Sequence, residues 1–266
     1  MNFSSEKTHI MGVLNVTPDS FSDGGNFFDV DTALVHAQQM ALDGADSIDV
    51  GGESSRPGSD PVSTEEELSR VLPVLEKIKQ ELDILVSIDT YKPQVAKAAL
   101  EAGADMVNDI SGLGDSDMIE VVSNYNVPVV IMHMRGKPKT MQKNPVYNDI
   151  IEDIKTFFAE RIEAAKKGGI KKIILDPGIG FGKTLEHNLT ILRELSRFKN
   201  LDYPILVGTS RKSFIGTITG QEVDKRLEGT IASNVIAIMN GANIIRVHDV
   251  KELKAAALVA DAIKYA

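Results

Sequence analysis

The sequence predicts an α/β fold, a single (β/α)8 TIM barrel spanning residues 1–266, from three observations. Eight short apolar runs rich in Val and Ile recur along the chain, and amphipathic stretches at helical spacing lie between them. Eight alternations also fit the usual barrel length of about 250 residues, whereas an open doubly wound sheet normally has fewer strands or a second domain. No Pro/Gly/Ser tract, low-complexity run or close repeat divides the chain.

In chain order the strand candidates are "IMGVLNV", "SIDVGG", "ILVSIDT", "DMVNDI", "PVVIMH", "KIILDP", "PILVGTS" and "NIIRVH". Each is too short for a helix and lacks clean alternation, as expected of parallel strands buried on both faces. The helices are marked by spacing and punctuation. Leu68, Val71, Leu72, Leu75 and Ile78 repeat at helical period behind a Ser63–Glu66 capping pattern. Gly44, Gly103 and Gly168 fall where helices should end, and Pro93 where one should begin. Ile231, Val235, Ile236 and Met239 continue the helical period before Gly241. The longer connections follow strands one, two and five (residues 16–30, 51–62 and 134–147), on the face where barrel enzymes keep their chemistry.

Composition narrows the function. A chain with 42% hydrophobic and 25% charged residues is globular, and a net charge of −9 disfavours a nucleic-acid or anionic-membrane surface without excluding a small cationic pocket. With no cysteine there is no disulfide, thiolate nucleophile or cysteine-bound metal. No run reaches membrane-spanning length and the first residues do not form a signal peptide, so a cytoplasmic location is expected.

"DPGIGFGKT" (residues 176–184) suggests a phosphate loop but completes none: Pro177 stands where a Walker loop needs glycine, and Lys183 where a dinucleotide fingerprint does. The strands end in polar residues: Asn15, Asp49, Asp89, Asn108 with Asp109, His133, Asp176, Ser210 to Lys212, and Arg246 with His248. Any one Asp or Asn there can simply cap the following turn. Arg246, His248 and Lys212 are poor caps, and an arginine inside an apolar strand is costly without a partner. Two chemistries result. Asn15, Arg56, Arg246 and His248 suit an anion, while Asp89, Asn108 and Asp176, with glycines that let a ring approach backbone, suit a flat polar heterocycle. The ligand class is a ring carrying a phosphate.

The string "GVLNVTPDSFSDGG" (residues 12–25), followed in order by "SSRPG", "SIDT", "NDI", "MHMRGKPKTMQ", "DPGIGFGK", "TSRKSF" and "RVHDV", closely resembles the bacterial dihydropteroate synthases from Met11 to Val250. The resemblance implies condensation of 6-hydroxymethyl-7,8-dihydropterin diphosphate with 4-aminobenzoate in folate synthesis, by departure of diphosphate before attack of the amine. It implies a barrel, a homodimer, sulfonamide competition, and Mg2+ bound through Asn15 and the substrate's phosphates. It assigns the pterin to Asp89, Asn108, Met132, Asp176, Phe181 and Lys212, although core packing is as good a reading for Met132 and Phe181. Diphosphate falls to Asn15, Ser55, Arg56, Arg246 and His248, and aminobenzoate to Phe21, Arg56, Pro57 and Ser213. Asp23, Lys212, Arg246 and His248 are the catalytic candidates. Ser55 departs from the family's usual threonine by one methyl group. Three other readings share parts of the pattern: a methyltetrahydrofolate-dependent methyltransferase, a Schiff-base aldolase using Lys212, and a noncatalytic pterin-binding protein. "NVTPDSF" and "SRK" speak against the first, and turnover or borohydride trapping separates the others.

Overall fold

The computed structural model describes Phe3 and residues 7–17, 30–56, 58–136 and 139–266. The eight strands are β1 (His9–Asn15), β2 (Ser47–Gly51), β3 (Leu85–Asp89), β4 (Met106–Asp109), β5 (Val129–Met132), β6 (Ile173–Asp176), β7 (Leu206–Val207) and β8 (Ile244–Val247). All pair in parallel in the order β6-β5-β4-β3-β2-β1-β8-β7. A bridge between Leu175 and Ile205 joins the two ends of that sheet, closing the barrel. The expected (β/α)8 TIM barrel is therefore observed, with β7 shortened to two residues.

The helices are α1 (Val30–Leu42), α2 (Thr64–Glu81), α3 (Pro93–Glu101), α4 (Ser116–Tyr125), α5 (Ile150–Lys167), α6 (Leu185–Arg193), α7 (Ser213–Thr219), α8 (Leu227–Met239) and α9 (Val250–Lys264). One is additional to the simple alternation: β7 is followed by short α7 before α8 covers the barrel. Local chemistry sets the ends. Ser63 caps α2 by accepting from Glu66 N at 3.1 Å, but the Glu66 carboxylate pairs with Arg70 instead of closing the capping box. Pro93 occupies the first turn of α3 as expected, where its missing N–H costs nothing.

Alternation along the strands divides the core in two. One set of side chains, such as Ile48, Val50, Ile88, Val107, Ile131 and Leu175, faces outward against Val71, Leu75, Ile154 and Phe158 of the helices. The other set fills the barrel: Met11, Met106, Val130, Ile174, Leu206 and Ile244 form an apolar layer, joined by Phe3. That layer makes the lower barrel a packed core and not a pore.

Candidate active site

Two residues further along, the same inward face turns polar on three of these strands. Met106 gives way to Asn108, Ile174 to Asp176 and Ile244 to Arg246, while Val130 leads to Met132 and Met11 to Val13. Val13, Asn108, Met132, Asp176 and Arg246, with Asp89, Phe181, Lys212, His248 and Ser55, line a cavity at the carboxyl ends of the strands.

Arg246 lies at the centre. Its Nε donates to Asp49 Oδ2 at 2.6 Å and its Nη2 to Asp89 Oδ2 at 2.7 Å, while Asn108 Nδ2 donates to the same Asp49 oxygen at 2.8 Å. The cost of an arginine in an apolar strand is thus met by two carboxylates of the protein itself, and its remaining N–H donors are left for a ligand. Since Asn108 spends its amide on Asp49, its carbonyl oxygen is the group available as an acceptor.

Asp176 is 8% exposed and accepts from Gly178 N at 2.7 Å through Oδ1, which leaves Oδ2 for a second partner. Burial raises its pKa, opposed by the Gly178 N–H, Lys212, Lys183 and Arg246. Burial also raises Asp89, to about 7, against the pull of Arg246. Lys212 Nζ donates to the Ile179 carbonyl at 2.6 Å and stands 4.1 Å from the Phe181 ring centre, a cation–π contact. Burial lowers its pKa to about 8, although Asp176 supports the charge.

His248 is neutral at physiological pH, since burial, then Arg246 and Arg211, lower its pKa to about 4. Ser210 Oγ accepts from His248 N at 3.2 Å and lies 3.0 Å from Nδ1. With the Ser210 hydroxyl proton donated to Nδ1, the ring proton sits on Nε2. His248 therefore offers an anion a neutral hydrogen bond, not a second charge.

Two glycines of "DPGIGFGK" are required by neighbouring backbone. A Cβ on Gly178 (φ +68°) would lie 2.0 Å from the His133 carbonyl oxygen, and one on Gly182 (φ +62°) 2.4 Å from that of Arg135. These two make room for the backbone leaving β5, while a Cβ on Gly180 (φ +84°) would lie 3.0 Å from Lys212 Cδ beside the cavity. Lys183 fastens the backbone contact. Its buried amine reaches His133 Nδ1 at 2.9 Å, the His133 carbonyl at 3.2 Å and the Phe181 carbonyl at 3.0 Å.

Of the residues named from sequence, Ser55, Asp89, Asn108, Met132, Asp176, Phe181, Lys212, Arg246 and His248 line the one cavity. Asn15 ends β1 above Val13, and Ser213, exposed, opens α7 beside Lys212. Arg56 is exposed but near enough to His248 to disfavour its charge. Phe21, Asp23 and Pro57 lie outside the described residues. Two polar strand ends point away from the cavity: Asp109 accepts from Ser111 N and Leu113 N as a turn cap, and the His133 ring packs on Phe157. Sequence reasoning missed Val13, Ile110, Ile179 and Gly208 as lining, and Asp49 as the counter-ion of Arg246.

Fold and cavity together define a class: a barrel enzyme whose site at the strand ends is built for a polar ring. Comparison with known proteins agrees. The model of the family described as pterin binding enzyme matches residues 11–248. A dihydropteroate synthase of Clostridium beijerinckii is 53% identical over 97% of this chain and 95% of its own length. The crystal structure of the Yersinia pestis dihydropteroate synthase with a sulfonamide drug superposes with a TM-score of 0.95 at 46% identity, covering 100% of this chain and 97% of that one. That of the Clostridium difficile enzyme in the presence of pteroic acid gives a TM-score of 0.92 at 54% identity, with 97% of each chain covered. The chain belongs to the pterin-binding enzymes and, among them, to the dihydropteroate synthase family of transferases.

Proposed function

We propose that the chain condenses 6-hydroxymethyl-7,8-dihydropterin diphosphate with 4-aminobenzoate, giving 7,8-dihydropteroate and diphosphate for folate synthesis. The observation that carries this reading is the pairing, in one cavity, of acceptors for a ring's N–H edge with an arginine that keeps spare donors. The free Oδ2 of Asp176 accepts from the amino and ring N–H groups, and Asn108 accepts through its carbonyl oxygen. Lys212 lies over one face beside Phe181. The diphosphate takes the remaining donors of Arg246, the Nε2–H of His248, and Arg56 from the mouth.

The methylene carbon–oxygen bond breaks first, and its electron pair leaves with the diphosphate. The conjugated ring carries the resulting cation until the neutral amine of aminobenzoate attacks, losing one proton to water at the mouth. Ser213 and Arg56 are assigned to the aminobenzoate, as are Phe21 and Pro57 by resemblance, and Asp23 to loop chemistry on the same ground. Preorganised donors at the leaving group and acceptors around the ring supply the catalysis, so a protein general base is not required.

Asn15 fits a magnesium ion bound mainly by phosphate oxygens: it ends β1 two residues beyond cavity-lining Val13, and its side chain has no hydrogen-bond partner among the described residues. One amide oxygen is enough, because Mg2+ keeps waters and relies on substrate phosphates. When bound, the ion neutralises the diphosphate. The active form in this reading is a cytoplasmic homodimer. It is supported by the exposed Ile236 and Met239 of α8 and Leu258, Val259 and Ile263 of the adjoining α9. Among the described residues no helix is long and apolar enough to cross a membrane.

Purified protein with both substrates and magnesium should release diphosphate over many turnovers, and omitting either substrate should abolish that steady release; steady release without aminobenzoate at the full rate would point to a hydrolase. The lysine gives a pH signature. Lys212 loses its proton as pH rises through about 8, so kcat/KM should fall on the alkaline side. Lys212→Arg, which stays charged, should move that fall to higher pH, and an unmoved alkaline limb would assign it to another group.

A further inference from the structure

Both ends of the β2–α2 connection converge on one ammonium. Lys92, immediately before Pro93, places Nζ 2.6 Å from Glu53 Oε2, 2.8 Å from the Val62 carbonyl and 2.5 Å from Glu67 Oε2. Glu53 opens the connection, Val62 lies near its close, and Glu67 belongs to the first turn of α2. Glu53 is gripped twice more, by Tyr91 Oη donating to Oε1 at 2.7 Å and by Val62 N donating to Oε2 at 3.2 Å. The side chains are 13% exposed at Lys92, 11% at Glu53 and 1% at Glu67.

None of these four side chains lines the substrate cavity, but the residues they fasten do. Ser55 follows Glu53 by two positions and Arg56 by three, and Lys92 stands three positions after Asp89. Ser55 and Asp89 border both the substrate cavity and the smaller one behind it, which Glu53, Glu67, Thr90 and Tyr91 also line. The network therefore links the strand end that meets the ring to the connection that meets the second substrate. Burying three charges stabilises a fold poorly compared with hydrocarbon of equal volume, so its value here is direction: one donor fixes both ends of a connection at set distances.

Resting on the function proposed above, we infer that Lys92 is a positioning residue of the reaction, which together with Glu53 holds Ser55 and Arg56 where they meet diphosphate and aminobenzoate. The test uses the full chain with Lys92→Met, Lys92→Arg and Tyr91→Phe. Affinity for 6-hydroxymethyl-7,8-dihydropterin is measured by calorimetry, aminobenzoate KM and kcat by diphosphate release, and folding by thermal unfolding. Lys92→Met should leave pterin affinity within about threefold of the parent while raising the aminobenzoate KM roughly tenfold or more and lowering kcat. Lys92→Arg should restore part of both. If Lys92→Met does not fold, Tyr91→Phe, which removes one hydroxyl from Glu53, carries the test with an expected rise in KM of about twofold to fivefold and unchanged pterin affinity. Unchanged KM and kcat in the folded variant, or loss of pterin binding in parallel with activity, overturns the assignment while the functional reading stands. A parent that does not turn over removes both.

Discussion

Asp176→Ala is expected to weaken pterin binding by on the order of a hundredfold. The carboxylate offers a buried oxygen to two adjacent ring donors, and a hydrogen bond to a charged acceptor is worth about 1.5 to 3 kcal/mol, where about 1.4 kcal/mol is tenfold. The loss should be larger than for exposed sites, because Asp176 is 8% exposed and water cannot easily replace it. Asp176→Asn should lose nearly as much, since its amide presents donors to donors. Calorimetric titration with 6-hydroxymethyl-7,8-dihydropterin measures both, and parental affinity in either variant would move the ring elsewhere in the cavity.

Arg246→Ala should be the most destabilising single change at the site, at about 3 to 5 kcal/mol, because it takes the shared cation from Asp49 and Asp89, of which Asp49 is the more deeply buried. Asp49 has 0% exposure and, among the described residues, keeps only Asn108 as a side-chain partner. The loss should lower the unfolding midpoint by roughly 10 °C. Asp49→Asn combined with Arg246→Met removes both charges and should recover more than half of that stability without recovering activity. If the double variant unfolds as early as the single one, the coupling between Asp49 and Arg246 is not what holds the wall together. Diphosphate sensitivity checks the second function of this arginine: Arg246→Met should erase the advantage of pterin diphosphate over the plain hydroxymethyl pterin.

The barrel and most of its mouth were legible because each apolar run ends in a chemistry-bearing residue. Asn108 and Asp176 stand out on that ground alone. What the runs conceal is which way each residue faces, since strands buried on both sides do not alternate between polar and apolar. Asn108 points in and Asp109 points out, yet the dipeptide shows no preference. Pairings were hidden for a different reason. Arg246 and Asp49 are 197 residues apart, and only closure of β8 onto β1 and β2 makes them partners. The glycines of "DPGIGFGK" were recognised as necessary, but the carbonyls of His133 and Arg135 that exclude a Cβ at Gly178 and Gly182 come from the segment after β5, a contact that sequence spacing does not record. Likewise Lys92 has the appearance of an exposed residue before a helix until Glu53, Val62 and Glu67 surround it.

The most direct measurement is a crystal structure of the chain with a nonhydrolysable pterin diphosphate. The expected result places the pyrimidine edge on Asp176 and Asn108 above the Met106–Ile174 layer, with the diphosphate toward Arg246 and His248. A ring stacked outside the cavity, or a diphosphate turned toward Asp176, would contradict the assignment of the polar layer as the seat of the pterin.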